Sequence, residues 1–319
     1  MVVTALAAGS WLGWAVFTPV TPPGQKFVLL RPGYSTRKIA AELHAAGVIR
    51  SEEAFLIWHY FHRAHSLKAG EYLFEKASAI ADIHDRLAHG SIYVHTVVIP
   101  EGYTMFDIAQ AIEQVGLGTQ SDFLRAAREN TDLISDLDPD ALSLEGYLFP
   151  DTYEFTRTQS MRDMVAVMVH HFRQVAHTLG LTSDIHSTVV MASIVEKETA
   201  VPEERAMVAG VYYNRLTKRM ALDADPSVIY AELLAGNYQG ALHHADLQLS
   251  SPYNTYRYPG LPPGPIGNPG KSSLLAAMRP AGHDYLYFVS DGKGHHRFAR
   301  SLEEHNRNVV AFRRAVRGQ

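Results

Sequence analysis

Two glutamates that follow an apolar run are the strongest candidates for chemistry in this sequence. Residues 189–195 contain a single hydroxyl among apolar side chains, and Glu196, Lys197 and Glu198 come directly after them. This composition predicts a helix buried on nearly all sides, or else a central strand, and the length and flanking signals favour the helix. Glu196 continues an apolar helical stripe, whereas Glu198 lies about 200° round the helix from it. The two carboxyl groups therefore cannot act as a facing pair.

The position of Glu196 allows two interpretations. A carboxyl at the end of an apolar face loses hydration in its ionised form, which raises its pKa and lets it act as a general acid near neutral pH. The alternative is structural, with the acid at the helix end paired to a nearby arginine, or with Lys197 and Glu198 forming a solvated tip. Composition and spacing leave both interpretations open.

A strand–turn–helix pattern occurs twice before this helix. Gly33-Tyr34-Ser35 follows a predicted strand at 27–30 and precedes a helix that stops at Gly47. Gly102-Tyr103-Thr104 likewise follows a predicted strand at 93–99, and its helix stops at Gly116. Ser35 and Thr104 are placed to cap the two helices, and Thr104 with Asp107 has the spacing of a capping box. The pattern indicates either an ordinary capped helix after a strand or a LysM-like unit, a small module that resembles glycan binders.

The remaining periodicity predicts a mixed α+β protein. Helices are predicted at 51–65, 80–90, 184–199, from Pro202 onwards and from Ser301 onwards, with a strand at 71–74 and a β-hairpin at 285–299.

The N-terminal segment is apolar. Residues 1–25 contain no Asp, Glu, Lys or Arg, and residues 2–20 are long enough for one membrane-spanning helix, which needs roughly 20 residues. A cleaved signal peptide is the alternative, although the basic n-region and a small-residue cleavage site are missing. We predict an anchor and linker at 1–24, a LysM-like subdomain at 25–98 and a mixed α+β catalytic domain at 99–319. Charge does not fix the orientation of the anchor.

Composition argues against several functions. Lys and Arg total 29 and Asp and Glu total 33, which gives no reason to expect a nucleic-acid partner. The chain has no cysteine, so thiolate metal sites and disulfides are excluded. Seventeen histidines occur without a His-Glu-x-x-His motif, and His59, His62 and His65 would spread round a helix rather than converge. We expect neither a metal nor a cofactor.

Six segments together resemble the endolytic murein transglycosylases, the YceG-like family. In chain order they are Leu144-Glu-Gly-Tyr-Leu-Phe-Pro-Asp-Thr-Tyr153, Ala192-Ser-Ile-Val-Glu-Lys-Glu-Thr199, Val211-Tyr-Tyr-Asn-Arg-Leu216, Asp225-Pro-Ser-Val-Ile-Tyr230, Tyr253-Asn-Thr-Tyr256 and Gly260-Leu-Pro-Pro-Gly-Pro-Ile266. The resemblance implies that Glu196 is the catalytic residue. It also implies a single-pass inner-membrane protein with a LysM-like part and its catalytic domain in the periplasm, and peptidoglycan synthases as possible partners.

The activity implied is lytic cleavage of peptidoglycan strands between N-acetylmuramic acid and N-acetylglucosamine. One carboxyl, Glu196, would protonate the glycosidic oxygen and then take the proton of the muramic acid C6 hydroxyl, which closes on C1 to leave a 1,6-anhydro end. A muramidase that uses water and a second carboxylate such as Asp225, and a non-catalytic wall-binding scaffold, are the alternatives.

Polar and aromatic residues in these segments are candidates for binding the N-acetyl sugars. Core packing or turn formation is the alternative role for each. The candidates are Tyr147, Asp225, Asn254, Thr255 and Tyr256.

Overall fold

A computed structural model describes residues 2–63 and 65–317. Its contacts divide the chain into two compact units. The first contains the described residues up to Val97 together with Glu154–Ser160, and the second contains Val98–Tyr153 and the described residues from Met161 onwards. The mixed α+β class is confirmed, and the predicted domain boundaries stay predictions.

The first unit is built from helices around one antiparallel strand pair. The strands pair from Lys26 opposite Phe74 to Leu30 opposite Gly70. Ser51 accepts a hydrogen bond from the Ala54 N–H, as a cap does, but the helix predicted to reach residue 65 ends at Phe61, and Ala64 lies outside the described residues. The elements are α1 (Val2–Phe17), β1 (Lys26–Leu30), α2 (Thr36–Ala45), α3 (Glu52–Phe61), β2 (Gly70–Phe74) and α4 (Ile80–His89).

The helix α1 covers most of the predicted anchor. It has 16 residues, and its last turn contributes Ala15 and Val16 to the buried core of the first unit. Within residues 2–63 and 65–317, no helix is both long and apolar enough to span a membrane.

The second unit is mainly helical and ends in a β-hairpin followed by a helix. The hairpin is confirmed, with Tyr287 opposite Ala299 and Ser290 opposite His296. The remaining elements in chain order, of which β3 and β4 each contribute residues to both units, are β3 (His95–Val98), α5 (Met105–Gln114), α6 (Gln120–Glu129), β4 (Thr152–Phe155), α7 (Met161–Leu179), α8 (Ile185–Glu198), α9 (Arg205–Thr217), α10 (Asp225–Ala235), α11 (Lys271–Met278), β5 (Tyr287–Ser290), β6 (His296–Ala299) and α12 (Leu302–Arg317).

The helix α8 runs through the core of the second unit, as the apolar run predicted. Every residue from Thr188 to Val195 is buried, and α9, α10 and α11 pack against it. The one hydroxyl of the run, on Ser193, donates to the Val190 carbonyl and accepts from the Ile266 N–H. The helix predicted to start at Pro202 instead begins as a 3₁₀ turn over Pro202–Glu204, and α9 starts at Arg205.

The two strand–turn–helix copies lie in different units, and both form their predicted caps. Ser35 accepts a hydrogen bond from the Lys38 N–H at 3.3 Å. Thr104 accepts from the Asp107 N–H, and the Asp107 carboxylate accepts in return from the Thr104 N–H at 2.8 Å, which completes the capping box. The sequence pattern therefore specifies the same local structure in both places.

Candidate active site

The Glu196 carboxylate is buried at the C-terminal end of α8 and has two partners. Its side chain is 5% exposed. One oxygen accepts a hydrogen bond from the Arg205 guanidinium at 2.8 Å, and the other accepts from the Gly270 N–H at 2.8 Å. The predicted burial is confirmed, and so is the arginine partner of the structural interpretation. The sequence had not predicted the backbone donor, which comes from the N-terminal end of α11.

Arg205 lies between two carboxylates. Its Nη2 is 2.8 Å from Glu196 and 3.6 Å from Glu101, whose side chain is 48% exposed. Its Nε is buried without a hydrogen-bond partner in the part of the chain that the structure describes. Burial, followed by the negative charge of Glu196, raises the pKa of Glu101, and the Arg205 charge acts against this increase.

Two glycines bring the backbone close to these carboxylates. Gly102 has a φ of +78°, and a β-carbon there would lie 3.3 Å from the Glu196 Cγ. A β-carbon on Gly270 would lie 1.9 Å from a Glu101 oxygen. Since such an overlap is not tolerated, Glu101 can occupy its position only because residue 270 has no side chain.

Buried hydrogen bonds of the Asn268 amide and the Glu145 carboxyl, together called the clasp, join the loop before Gly270 to the segment that carries Glu101. The Asn268 Nδ2 donates to the Tyr103 carbonyl at 2.9 Å and to a Glu145 oxygen at 2.8 Å, and its Oδ1 accepts from the Leu148 N–H. Both Glu145 oxygens accept from the Met105 N–H at the start of α5, and burial raises the pKa of Glu145 to about 8. The clasp fixes the loop before Gly270 against the segment that carries Glu101.

A groove with an aromatic and aliphatic floor begins one residue from Glu196. Its volume is about 590 Å³, and it is lined by Lys197, the residue after Glu196, and by Thr104, which follows the Gly102 turn. Its apolar side chains are interleaved with amide, hydroxyl and charged groups, a combination suited to binding saccharides. The lining residues are Thr104, Phe106, Asp107, Gln110, Gln120, Lys197, Pro226, Ile229, Tyr230, Leu233, Tyr238 and Ile266.

Glu198 faces a different cavity, as the helical angle predicted. This cavity has a volume of about 380 Å³ and is lined by Glu198, Tyr212, Arg215, Asp225 and Tyr256 among others. The Tyr256 hydroxyl donates to Asp225 at 2.5 Å. Burial raises the pKa of Glu198 to about 7, with a smaller contribution from the Asp225 charge. Two of the predicted sugar-binding residues are thus grouped with Glu198 rather than with Glu196.

The other three predicted sugar-binding residues are buried and bonded internally. Tyr147 donates to Asp138, and Asn254 donates to two carbonyls in the loop before it. Thr255 accepts from the Ala224 N–H and pairs with the Ser227 hydroxyl at the start of α10. Their role in substrate binding stays a prediction, and their burial favours the structural alternative.

Sequence reasoning missed four residues that build this site. They are Glu101, Arg205, Asn268 and Gly270. Arg205 carried a readable signal, because a cation in the first turn of a helix opposes the helix dipole and so indicates another partner. The signal at Glu101 was weaker and consisted of an acidic residue between a predicted strand and a glycine turn.

Comparison with known proteins gives consistent matches along nearly the whole chain. A family model described as the YceG-like family matches residues 28–311. The endolytic murein transglycosylase of Bacillus subtilis (strain 168) is 34% identical over 296 residues, which cover 86% of this chain and 81% of that protein. The endolytic murein transglycosylase of Streptococcus pneumoniae serotype 2 is 30% identical over 96% of this chain, but this chain spans 62% of the length of that relative.

A solved structure agrees with these matches. The crystal structure of a YceG-like protein from Listeria monocytogenes superposes with a TM-score of 0.58 and 33% sequence identity, covering 89% of this chain and 98% of that one. The sequence match extends across both units, and the structural match covers most of the chain. This chain therefore belongs to the YceG-like family.

Proposed function

We propose that this protein is an endolytic lytic transglycosylase that cuts peptidoglycan glycan strands, with Glu196 as its acid and base. Two relatives that are 30–34% identical to it over the aligned residues are named endolytic murein transglycosylase. The observation that carries the proposal for Glu196 is its geometry. A buried carboxylate is held by a guanidinium and a backbone N–H beside a groove of about 590 Å³.

The reaction needs one carboxyl that gives and then takes a proton. Protonated Glu196 donates to the oxygen between N-acetylmuramic acid and N-acetylglucosamine while the C1–O bond breaks and positive charge develops on the sugar. The C6 hydroxyl of the muramic acid then bonds to C1, and its proton passes to the Glu196 carboxylate. The enzyme returns to its starting state without consuming water, and the strand ends in a 1,6-anhydro sugar.

The partners of Glu196 suit the ionised state that forms midway through this cycle. Arg205 and the Gly270 N–H are fixed in place before the reaction, so they stabilise the carboxylate without reorganisation when the proton leaves. The arginine contact that the structural interpretation required is therefore compatible with catalysis.

The groove beside Lys197 is where we place the sugars next to the scissile bond. Phe106 and Tyr238 are partly exposed in it and offer aromatic faces, while Gln110 and Gln120 at its edge offer amides for N-acetyl and hydroxyl groups. The contacts predicted for Asp225 and Tyr256 would belong to a more distant part of the strand, because these residues line the Glu198 cavity.

Digestion of purified peptidoglycan tests the proposal. Glu196→Gln should abolish cleavage while the circular dichroism spectrum stays that of the folded protein. Glu203→Gln is the matched control, since Glu203 is exposed and lies before Arg205, and it should cleave normally. Mass spectrometry of the products should find 1,6-anhydro ends.

Two results would contradict the proposal. Reducing ends without anhydro ends would show that water attacks, as in a muramidase. Full rescue of a wall-elongation defect by Glu196→Gln would favour a wall-binding scaffold.

We also propose that the N-terminal segment holds the protein at the inner membrane, with the catalytic unit in the periplasm. The helix α1 carries no charged residue and exposes Leu6, Trp11, Trp14 and Phe17, which supports contact with lipid. If so, Leu6→Glu/Trp11→Glu should move the full-length protein from the membrane fraction to the soluble fraction. An unchanged distribution would contradict the anchor.

The LysM-like role of the first unit also remains a proposal. Its strand–helix–helix–strand order, with β1 antiparallel to β2, supports a small glycan-binding module. Sedimentation of the Glu196→Gln variant with insoluble peptidoglycan would measure this binding without cleavage.

A further inference from the structure

Glu101 is an exposed acidic residue that shares the Arg205 guanidinium with Glu196. It follows β3 and precedes the Gly102 turn, and its carboxylate lies against the Gly270 backbone. The N–H of the same glycine donates to Glu196. The two carboxylates therefore approach one glycine from different directions.

One guanidinium serves both carboxylates. Arg205 is 2.8 Å from Glu196 and 3.6 Å from Glu101, and its side chain is 8% exposed. With both acids ionised, two negative charges share one positive charge, and of the three side chains those of Glu196 and Arg205 are buried while that of Glu101 is about half exposed. Such a pair takes up one proton more readily than two separate acids would, and that proton belongs to the pair rather than to either residue.

Among the described residues, the charges that act on the Glu101 carboxyl are those of Glu196 and Arg205. The helix α8 contributes Glu196 and the Lys197 stem, which lies against Gly102. The helix α9 contributes Arg205, and α11 contributes the Gly270 backbone, with Lys271 following in sequence. Burial and the Glu196 charge raise the pKa of Glu101, and Arg205 lowers it.

We propose that Glu101 is a positioning residue that shares a proton with Glu196 across Arg205 and so keeps the catalytic carboxyl supplied with the proton it must donate. This inference rests on the proposed function. In the resting site the pair holds one proton. When Glu196 protonates the glycosidic oxygen, both acids are ionised and repel each other, and the repulsion is relieved when Glu196 takes the proton of the C6 hydroxyl. The protein therefore gains and loses no proton over the cycle.

Carboxyl ¹³C NMR titration of the full-length protein tests the shared proton without relying on activity. In Glu196→Gln the neighbouring charge is gone, so the Glu101 titration midpoint should fall by about one pH unit, a size typical of a like charge nearby. Glu203→Gln is the control and should leave the midpoint unchanged. An unchanged midpoint in Glu196→Gln would overturn the proposal, whether or not the protein cleaves peptidoglycan.

The pH profile of cleavage tests the consequence for catalysis. Glu101→Gln removes the charge that repels ionised Glu196, so the remaining carboxyl should lose its proton at lower pH. The alkaline limb of the kcat/KM profile should therefore move down by about one pH unit, with roughly tenfold less activity at pH values above the limb. Glu101→Asp keeps the charge and should restore the limb toward that of the unmodified enzyme. A residue that only braces the loop would change stability or overall rate without moving the limb, and that result would overturn the proposal. Absence of anhydro products from the unmodified enzyme would instead contradict the proposed function, while the NMR result would still stand.

Discussion

The two glutamates at the end of α8 have nearly the same position in sequence and opposite surroundings. Glu196 is buried but has a guanidinium and a backbone N–H as partners, with a half-exposed second acid nearby. Glu198 is partly buried in a cavity that it shares with Tyr212, Tyr256, Arg215 and Asp225, and its pKa rises to about 7. Burial alone therefore does not distinguish a catalytic acid on this helix. The features that distinguish Glu196 are the fixed hydrogen-bond donors around its carboxylate and the groove beside it.

Removing the Arg205 guanidinium beside Glu196 should have the largest effect on stability. Arg205→Met leaves the buried Glu196 carboxylate with one backbone donor. Removing one partner of a buried ion pair costs about 3–5 kcal/mol of unfolding free energy. Urea denaturation at neutral pH measures the loss. The double variant Glu196→Gln/Arg205→Met should recover part of it, because no buried charge remains. A loss below about 1 kcal/mol in Arg205→Met would mean that the pair is effectively solvated.

On the Glu198 side, the effect should depend on pH. The pKa of this carboxyl is about 7 in the folded protein and about 4.3 in an unfolded chain, so the folded state binds the proton more tightly and stability falls as pH rises between these values. Glu198→Gln removes this loss. The unfolding free energy of Glu198→Gln relative to the unmodified protein should therefore rise by on the order of 3 kcal/mol from pH 4 to pH 8. Parallel stability curves for the two proteins would show that Glu198 is well solvated.

The smallest stability effect is expected at Gly102, where an added β-carbon would lie 3.3 Å from the Glu196 Cγ. Gly102→Ala forces an alanine into a φ of +78° and should cost about 1–2 kcal/mol. Gly33 is the matched control from the other strand–turn–helix copy, with a φ of +85° and no atom within 4 Å of an added β-carbon. Gly33→Ala should lose similar stability in thermal melts, and Gly102→Ala alone should also lose cleavage, because its β-carbon crowds the Glu196 side chain. Equal activity of the two variants would contradict this contact.

Features that depend on neighbours in sequence could be predicted. The burial of α8 and the opposite faces of Glu196 and Glu198 follow from helical periodicity, and the caps at Ser35 and Thr104 follow from a hydroxyl before a helix. The β-hairpin near the C-terminus follows from two short strands around an Asp-Gly turn.

Features that depend on distant segments could not be predicted. The Asn268 side chain meets the Tyr103 carbonyl across 165 positions, and no local pattern marks either residue as a partner of the other. Asn254 and Thr255 have side chains suited both to sugars and to turns, and the structure uses them to fix loops. Residue type alone does not separate these roles.

The clasp at Asn268 also has a consequence for biosynthesis. Glu196 emerges from the ribosome well before Asn268 and Gly270, and contacts between such distant segments form only after both have been made. A nascent or truncated chain that lacks this loop carries the acid without its backbone donor and without the wall formed by Ile266. The ability to cut the cell wall is therefore acquired late, when translation of the second unit is nearly complete.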